Sequence, residues 1–386
     1  MDFSLTDEQV ALRAGVLRFA REQLGEKAAE HDRDETFDRD GWQACADFGV
    51  LGWPIPAEYG GSGFDPLTTI IACEALACGC RDNGLVFAVD NHLWACVIYL
   101  LRHGNGEQKA SLLPRLADGS MIGAHALTEP GAGSDVLSLA TRAERAGDDY
   151  ILTGTKVFIS NGPCADLYVV FARTGRSPGG QRDLSAFLVP RDTPGLEVRR
   201  VISKAGLRGT PMGEIRLDGC VVPARNLLGA EGTGYHVFTS TIEWERGFMA
   251  ASQVGRAQRI LDTCVAWAGE RAQFGRPIGS YQAVSHRLAD MQVRIELARL
   301  LLYKIGWLKQ QGRMALLESA MLKLFTSESL LETALDAVRV HGARGYVGDL
   351  PVERELRDAL GCVIFGGTSD IQRNVIASLL GVAGAA

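Results

Sequence analysis

Basic residues are in short supply in this chain of 386 residues, in which 40 Lys and Arg stand against 46 Asp and Glu, for a formal net charge of −6. No long run of Lys or Arg occurs, which argues against nucleic acid or an anionic membrane as a partner. The first residues, MDFSLTDEQ, lack the basic and then apolar form of a signal peptide. The longest apolar region, Gly84 to Leu101, is interrupted by three polar residues at 90–92, so we do not expect it to span a bilayer.

Cysteines are few and scattered: there are nine, an odd number, with no CxxC motif. Cys78 and Cys80 are too close for an easy disulfide and lack a second pair with which to bind zinc. The seven histidines are isolated from one another. We therefore expect a reduced, cytoplasmic and metal-free protein. The hydrophobic fraction of 46% is typical of a globular chain with a large core, and the length suggests about two or three domains.

The pattern of residue types changes twice along the sequence. Residues 1–121 have helical patterns, beginning with a capping-box signal at Thr6 and Gln9. Residues 122–232 contain short runs of β-branched and aromatic residues separated by Gly, Asp and Pro, which predict an antiparallel sandwich or barrel. Helical spacing returns over residues 233–386. The sequence thus predicts an α+β multi-domain fold, with an N-terminal helical bundle, a middle antiparallel β-domain and a C-terminal four-helix-type bundle, rather than a doubly wound dinucleotide fold.

A glycine-rich loop in the strand region is the first candidate for ligand binding. Gly131-Ala132-Gly133-Ser134 matches half of a GxGxxG pattern, and a flexible loop is the simpler interpretation of that fragment alone. Thr128-Glu129-Pro130 before it and Asp135 after it make the motif more specific. Such a loop offers N–H groups and hydroxyls to a flat polar heterocycle or a phosphate.

Glu245 is the second candidate, because it occupies an apolar stripe of a predicted helix. Steps of 4, 3, 4 and 3 residues place on one face Phe238, Ile242, Glu245, Met249 and Ser252. No cation lies three or four positions from Glu245, and Glu243 is about 200° around the helix. A carboxylate among apolar groups should have a raised pKa, which suits a general base. The alternative is a structural Glu that pairs with a distant Arg or lies at a helix edge.

Two further motifs contain basic or glycine-rich turns. Residues 271–277 (RAQFGRP), followed by Gln282, could hold a diphosphate or form a solvated surface loop. Residues 365–373 (FGGTSDIQR) could present N–H groups to a ligand where a loop becomes a helix, or form a simple helix start.

Four segments together resemble the FAD-dependent acyl-CoA dehydrogenase family: LTEPGAGSD (127–135), KVFISNG (156–162), RAQFGRPI (271–278) and GGTSDIQR (366–373). The resemblance runs from Phe3 to about Ile376. The family's order of domains, helical, β and helical, agrees with the order of helical and strand patterns in this chain. The resemblance implies a flavoprotein oxidoreductase.

The resemblance also implies which residues bind FAD, between the β-domain and the C-terminal bundle. The residues that match positions beside the flavin ring are His125, Leu127, Thr128, Gly133, Ser134, Phe158 and Ser160. The residues implied to reach the FAD of a neighbouring subunit are Arg271, Gln273, Phe274, Gln282, Arg339 and Gly342. Thr368 and Asp370 match the last contacts. Phe158 departs from the usual Trp, and Arg339, His341 and Ala343 depart from a segment that usually begins with Gln. Cross-subunit contacts imply a homo-oligomer, which is a tetramer in much of the family.

The catalytic base is implied by a departure from the family's commoner pattern. Many members carry the catalytic Glu at the position of Gly366, where this chain has no side chain. A smaller group, which includes isovaleryl- and long-chain acyl-CoA dehydrogenases, carries it immediately before an Arg, and Glu245-Arg246 matches that place. The N–H of Gly366 is implied to bind the thioester oxygen. The implied substrate contacts are Ser134, Trp244, Arg246 and Gly367.

The acyl group and its carrier stay open. Residues 84–96 and 243–248 and the GGTSD segment are similar to bacterial dehydrogenases that act on carrier-protein thioesters in natural-product pathways, including those that oxidise prolyl groups. Coenzyme A is the other carrier considered, as in fatty acid metabolism. An electron-transferring flavoprotein is the acceptor expected by family analogy. The rival hypotheses are an oxidase or flavin monooxygenase of the same fold and a non-catalytic FAD-binding protein.

Overall fold

The computed structural model describes residues 4–175 and 183–382. Phe3, where the family resemblance begins, and the outermost residues of the first and last predicted domains lie outside these ranges. Helices come first, a sheet follows, and helices return, as the sequence predicts. The proposed divisions after residues 121 and 232 stay a prediction, although the changes between helix and strand fall beside them.

Seven helices form the N-terminal part of the described chain: α1 (Asp7–Gln23), α2 (Ala28–Asp34), α3 (Arg39–Asp47), α4 (Pro66–Gly79), α5 (Asn83–His92), α6 (Ile98–His103) and α7 (Gly106–Ala117). The predicted capping box begins α1: Thr6 Oγ1 accepts from the Gln9 N–H at 3.2 Å, and Gln9 Oε1 accepts from the Thr6 N–H at 3.1 Å. A π-helical turn over Leu93–Val97 joins α5 to α6. The joined helix, Asn83–His103, has the length and hydropathy of a membrane span, but 89% of its most apolar 18-residue stretch is buried inside the protein.

Among residues 4–175 and 183–382, eight strands form one sheet: β1 (Gly123–Ala126), β2 (Arg142–Ala146), β3 (Asp149–Ser160), β4 (Leu167–Arg173), β5 (Leu184–Pro190), β6 (Leu196–Val201), β7 (Met212–Pro223) and β8 (Leu227–Leu228). Their order is β6-β7-β3-β2-β4-β5-β8, with β1 beside β4. Most neighbours are antiparallel as predicted, but β1 and the start of β2 run parallel to β4. The antiparallel prediction therefore missed two pairings, because the chain returns through β3 before it enters β4 and so runs in the same direction as β1 and β2.

Strand β4 separates two hydrophobic cores, since successive side chains of a strand point to opposite faces. Leu167, Val169 and Phe171 pack into the core shared with the helices. Tyr168 and Val170 pack into a second core enclosed by the sheet itself. Burial on both faces explains why β4 reads as a nearly continuous apolar run.

The C-terminal part begins with the long helix α8 (Gly234–Glu270) and a short hairpin, β9 (Ala272–Gln273) and β10 (Arg276–Pro277). The remaining helices are α9 (Gln282–Gln310), α10 (Leu316–His341), α11 (Ala343–Tyr346), α12 (Val352–Leu360) and α13 (Ser369–Leu379). Helix α8 packs against α4, α9 and α10, and most of its central residues are buried. It therefore carries its side chains into the junction of the helical parts and the sheet.

The nine cysteines, all within the described residues, are free thiols. His31, Asp38 and Asp82 bring ligand-type atoms within 4.8 Å of one another. Asp38 caps α3 by accepting from the Gly41 N–H, and Asp82 caps α5 by accepting from the Leu85 N–H. Helix capping and the 2.9 Å contact of His31 with Asp82 account for this cluster.

Candidate active site

A cavity of about 700 Å³ lies between the sheet and the helices. Its walls come from β1 and the loop after it, the end of β3, helices α5 and α8, and residues 365–375. A second cavity, of about 550 Å³, lies between α1, α4, α8 and α12. The second cavity contains none of the predicted site residues, and its buried carboxylate, Glu355, is paired with Arg259 at 2.9 Å.

The 700 Å³ cavity brings together most of the predicted residues. Both proposed catalytic positions line it, Glu245 and Gly366. The flavin-ring candidates that line it are His125, Leu127, Thr128, Gly133, Ser134, Phe158 and Ser160. Ser134, Arg246 and Gly367, three of the four proposed substrate contacts, do so as well. Segments separated by more than 200 residues in the chain therefore meet at one cavity.

The other predicted residues do not line this cavity. Thr368 caps α13 by accepting from the Ile371 N–H at 3.2 Å, and Asp370 is exposed in the next turn. The remaining ones lie around the β9–β10 hairpin and at the ends of α9 and α10: Arg271, Gln273, Phe274, Gln282, Arg339 and Gly342. Phe274 is 94% exposed, and Arg339 is paired with Asp336 and Glu332. Within one chain these residues form no site with the cavity.

Glu245 is a buried carboxylate without a counter-ion. Its side chain comes from the middle of α8, is 7% exposed and faces the cavity. No cation of the described ranges lies within 4.0 Å of it, and its Oε2 accepts no hydrogen bond. Burial raises the pKa of Glu245 to about 7, partly offset by the charge of Arg246. The alternative of a structural Glu paired with a distant Arg does not describe this side chain.

Arg246 stabilises the loop opposite Glu245 instead of forming an ion pair with it. Its Nε donates to the carbonyl of Gly366 at 3.0 Å, and Gln372 Nε2 donates to the same oxygen at 3.2 Å. With the carbonyl held on that side, the N–H of Gly366 forms no hydrogen bond within the described ranges. A β-carbon at Gly366 would lie 3.9 Å from Glu245 Oε1, so the free N–H and the carboxylate are neighbours.

Both glycines of this loop have positive φ angles, +66° at Gly366 and +88° at Gly367. A β-carbon at Gly367 would lie 2.7 Å from Gln372 Nε2 and 3.1 Å from Arg246 Nη2. Glycine is required at 367 both by the backbone conformation and by the packed side chains. The sequence indicated a loop before a helix here, and the structure adds that the loop is clamped from two sides.

Trp244 is not among the residues that line the cavity in the described chain, and its role as a substrate contact stays a prediction. One position before Glu245 on α8, it points away from the cavity and stacks on Phe248, with ring centroids 5.1 Å apart. Arg102 Cζ and Lys309 Nζ lie 5.3 Å and 5.1 Å from its ring. A shift of one residue turns a helix by about 100°, which accounts for the different surroundings of Trp244 and Glu245.

The glycine-rich loop is fixed by a buried ion pair. Lys156 Nζ donates to Glu129 Oε1 at 2.7 Å and to the Leu127 carbonyl at 3.0 Å. Glu129 also accepts from the N–H groups of Ala140 and Thr141, at 2.5 and 3.0 Å. The Lys156 charge and these hydrogen bonds lower the pKa of Glu129 although burial opposes them. The pair connects the two ends of the loop to β3 and so presents its hydroxyls to the cavity.

His125 and Phe158 complete the wall next to the loop. Burial lowers the pKa of His125 to about 3, so its ring is neutral, and its Nε2 has no hydrogen-bond partner. The ring stacks on Tyr99 with centroids 5.0 Å apart. Phe158 has a φ of +60° and is 57% exposed. A buried polar atom without a partner and an exposed aromatic ring are typical of a wall that binds a ligand.

Sequence reasoning missed one wall of the cavity. Phe87, Asn91 and Ala95 line it from one face of the α5 helix and the π-helical turn, together with Met249 and Phe365. Their spacing of four residues along an apolar run was visible in the sequence. It reads as core packing, because nothing in that spacing separates a cavity wall from a packed helix.

Comparisons with known proteins agree over the whole length of the chain. The family models for the acyl-CoA dehydrogenase N-terminal, middle and C-terminal domains match residues 6–120, 124–220 and 232–381. An L-prolyl-[peptidyl-carrier protein] dehydrogenase of Pseudomonas fluorescens is 43% identical over 378 residues, which covers 98% of this chain and 99% of that protein.

Solved structures give the same result. The prolyl acyl carrier protein oxidase AnaB has a TM-score of 0.96 and 46% identity, covering 98% of this chain and 100% of that one. PigA with FAD and proline has a TM-score of 0.96 and 38% identity, covering 100% of both chains. Together with the three matched domains and the cavity between them, these similarities establish that the chain belongs to the acyl-CoA dehydrogenase family.

Proposed function

We propose that the protein is a flavoprotein dehydrogenase that introduces an α,β double bond into an acyl thioester. The observation that carries the proposal is the unpaired Glu245 carboxylate in the cavity, beside the free N–H of Gly366. An unpaired buried carboxylate is costly to a fold, so its presence at the wall of a cavity indicates a function.

The residues of the cavity fit FAD. The unpartnered Nε2 of His125 and the hydroxyls of Thr128, Ser134 and Ser160 supply polar contacts along one wall. A β-carbon at Gly133 would meet no atom within 4 Å, so that part of the loop is open. These residues would hold the flavin ring, whose chemistry when bound is to accept a hydride from the substrate β-carbon.

The side chains of this chain account for the rest of the reaction. The α C–H of a thioester becomes acidic when negative charge on the carbonyl oxygen is stabilised, and the N–H of Gly366 is placed for that hydrogen bond. Glu245 then takes the α proton on a carboxylate oxygen. Its raised pKa makes the carboxylate a stronger base at neutral pH than an ordinary Glu. Met249 and Phe365 add apolar side chains to the same cavity.

For the substrate, we propose a carrier-protein-bound aminoacyl group, of which prolyl is the first to test. Support comes from the names of two of the similar proteins, which act on prolyl groups attached to carrier proteins. An acyl group on coenzyme A is the alternative carried by the family name.

We also propose a homotetramer that completes the cofactor site, with an electron-transferring flavoprotein as acceptor. In support, Phe274, which is 94% exposed, and the other hairpin residues form no site within one chain. Arg271 and Gln273 lie on the same exposed hairpin and would contact the cofactor of a second copy. Sedimentation of the FAD-loaded protein tests the assembly, and a stable FAD-loaded monomer would contradict it.

The central experiment is an anaerobic titration of the FAD-loaded protein with prolyl-carrier protein, prolyl-pantetheine and acyl-CoA esters. Loss of the flavin absorbance near the stoichiometric point is expected with at least one thioester. Full absorbance with every thioester would contradict the proposal. Faster bleaching by prolyl-pantetheine than by the carrier-bound group would argue against recognition of the carrier protein.

A second candidate is an oxidase that passes electrons to dioxygen. The name of AnaB, a prolyl acyl carrier protein oxidase, favours it. Hydrogen peroxide formed in air in proportion to the product, with no other acceptor, would identify an oxidase. Slow reoxidation of the reduced protein in air would identify a dehydrogenase.

A further inference from the structure

The wall that helix α5 contributes to the cavity contains one polar acceptor that the reaction does not use. Asn91 on α5 is 9% exposed and lines the cavity between Phe87 and Ala95. Met249 and Phe365 line the same cavity from α8 and the 365–367 loop. The amide therefore lies in a mostly apolar wall, on the same cavity as Glu245.

The orientation of this amide is set by a backbone contact. Asn91 Nδ2 donates to the carbonyl of Phe87 at 2.7 Å. A carbonyl only accepts hydrogen bonds, so the NH₂ group must face it. The other end of the amide, Oδ1, accepts no hydrogen bond from any residue within 4–175 and 183–382. Oδ1 is open to the cavity, so a ligand that covers it without supplying a donor would leave it unpaired, at a cost that a ligand N–H would remove.

We propose that Asn91 Oδ1 accepts a hydrogen bond from the amine of an α-aminoacyl thioester, so that Asn91 selects aminoacyl groups over hydrocarbon acyl groups. The inference rests on the proposed thioester dehydrogenase function and specifies its substrate class. In such a substrate the amine is attached to the carbon from which Glu245 takes the proton, so both groups must be reached within one cavity. A hydrocarbon acyl group would leave Oδ1 without a donor.

Two features of the neighbourhood support an N–H donor at this place. Two carboxylates, Glu245 and Asp135, line the cavity with one guanidinium, that of Arg246, which donates to the Gly366 carbonyl, and this balance favours an ammonium over a carbon group of the same size. The π-helical turn at Leu93–Val97 begins two residues after Asn91, and such turns are frequent at functional sites.

The test compares two thioesters of the same shape, prolyl-pantetheine and cyclopentanecarbonyl-pantetheine, in which a CH₂ replaces the ring N–H. The wild-type holoenzyme should have a kcat/KM about 10- to 100-fold higher for the prolyl ester, because the cyclopentane ester would bury the Asn91 oxygen without a hydrogen-bond donor. Asn91→Leu, which keeps the size and removes the acceptor, should reduce this preference to about 1–3-fold. Asn91→Asp should keep a preference for the prolyl ester.

FAD content and the unfolding temperature of both variants show that the fold is intact. Equal preference in the wild-type protein, or an unchanged preference in Asn91→Leu, overturns the inference. Oxidation of the cyclopentane ester but not the prolyl ester also overturns it and leaves the dehydrogenase function standing. If neither ester is oxidised, equilibrium binding of both esters to the holoenzyme is measured, and equal or absent binding rejects the role of Asn91. Rejection of the dehydrogenase function itself requires a different result, in which no thioester bleaches the flavin.

Discussion

Glu243 and Glu245 are two residues apart on α8 and equally buried, each 7% exposed, yet their surroundings differ completely. Glu243 forms an ion pair with Lys309 and accepts from the Ala315 N–H at 2.9 Å. Glu245 faces the cavity, and its Oε2 has no partner. The paired carboxylate connects α8 to α9 and to the start of α10, whereas the unpaired one is free to bind a proton. Burial alone does not mark a candidate catalytic acid or base, but burial without a partner at the wall of a cavity does.

The largest expected effect comes from removing the carboxylate that has no partner. Glu245→Gln should reduce kcat/KM by roughly 10²–10⁴-fold, because a positioned base is lost while the shape is kept. FAD content should not change, since the flavin candidates lie on other segments. Stopped-flow reduction of the loaded protein measures the rate.

Glu243→Gln is the matched control for that measurement. It changes the same chemical group two positions away on the same helix, and it should retain more than about a tenth of the wild-type rate of flavin reduction. A rate for Glu245→Gln within about 10-fold of the wild type, the effect of a modest positional change rather than of a lost base, would remove Glu245 from the mechanism.

For the free energy of unfolding, substitution of Glu243 should be the more damaging of the two changes. Glu243→Gln leaves the buried Lys309 ammonium without its carboxylate, and we expect the free energy of unfolding to fall by about 3–5 kcal/mol. The double variant Glu243→Leu/Lys309→Leu removes both charges and should be more stable than the single variant. Chemical denaturation of the loaded protein measures both, and equal stability of single variant and wild type would contradict the structural role.

The titration of Glu245 should also make activity and stability depend on pH, with smaller effects than the substitutions above. The pKa of Glu245 is raised to about 7, so kcat/KM should fall as pH decreases through about 7 and the base becomes protonated. The same shift means that the folded state binds this proton more tightly than the unfolded chain. Its contribution to stability is therefore present below about pH 4.5 and is lost as pH rises through about 7.

Glu245→Gln should remove the contribution of residue 245 to the pH dependence of stability. Above pH 8 the variant should exceed the wild type in free energy of unfolding by about 1–3 kcal/mol, and near pH 4 the two should converge. Unfolding curves for both proteins across this pH range provide the measurement. A wild-type protein that is the more stable of the two at high pH would show that Glu245 has a partner in solution.

The sequence predicted the parts of the molecule whose signals are local. The capping box at Thr6 and the return of helices after the strand region follow from local spacing, and both are confirmed. Glu245 could be singled out because the period of a helix predicts its neighbours. The mixed sheet could not be predicted, because the parallel pairing of β1 with β4 depends on contacts 44 residues apart.

At the candidate site, side-chain direction is what the sequence could not supply. Trp244 and Glu245 are adjacent, and only the packing of α8 decides which one faces the cavity. Asn91 was part of an apolar run whose three polar residues read only as an interruption. In the structure, the first of them, Asp90, accepts a hydrogen bond from Ser252, the second faces the cavity, and His92 bonds to the Gly123 N–H.

The bare backbone at position 366 has one more consequence. With the Glu245 carboxylate carried by α8, Gly366 places no side chain next to it, and the volume that a β-carbon would fill 3.9 Å from Glu245 Oε1 stays free. An acyl group that bears a ring or a branch beside its carbonyl needs room at that place, whereas a straight chain does not. Relocating the carboxylate to α8 thereby widens the range of acyl shapes that can reach it.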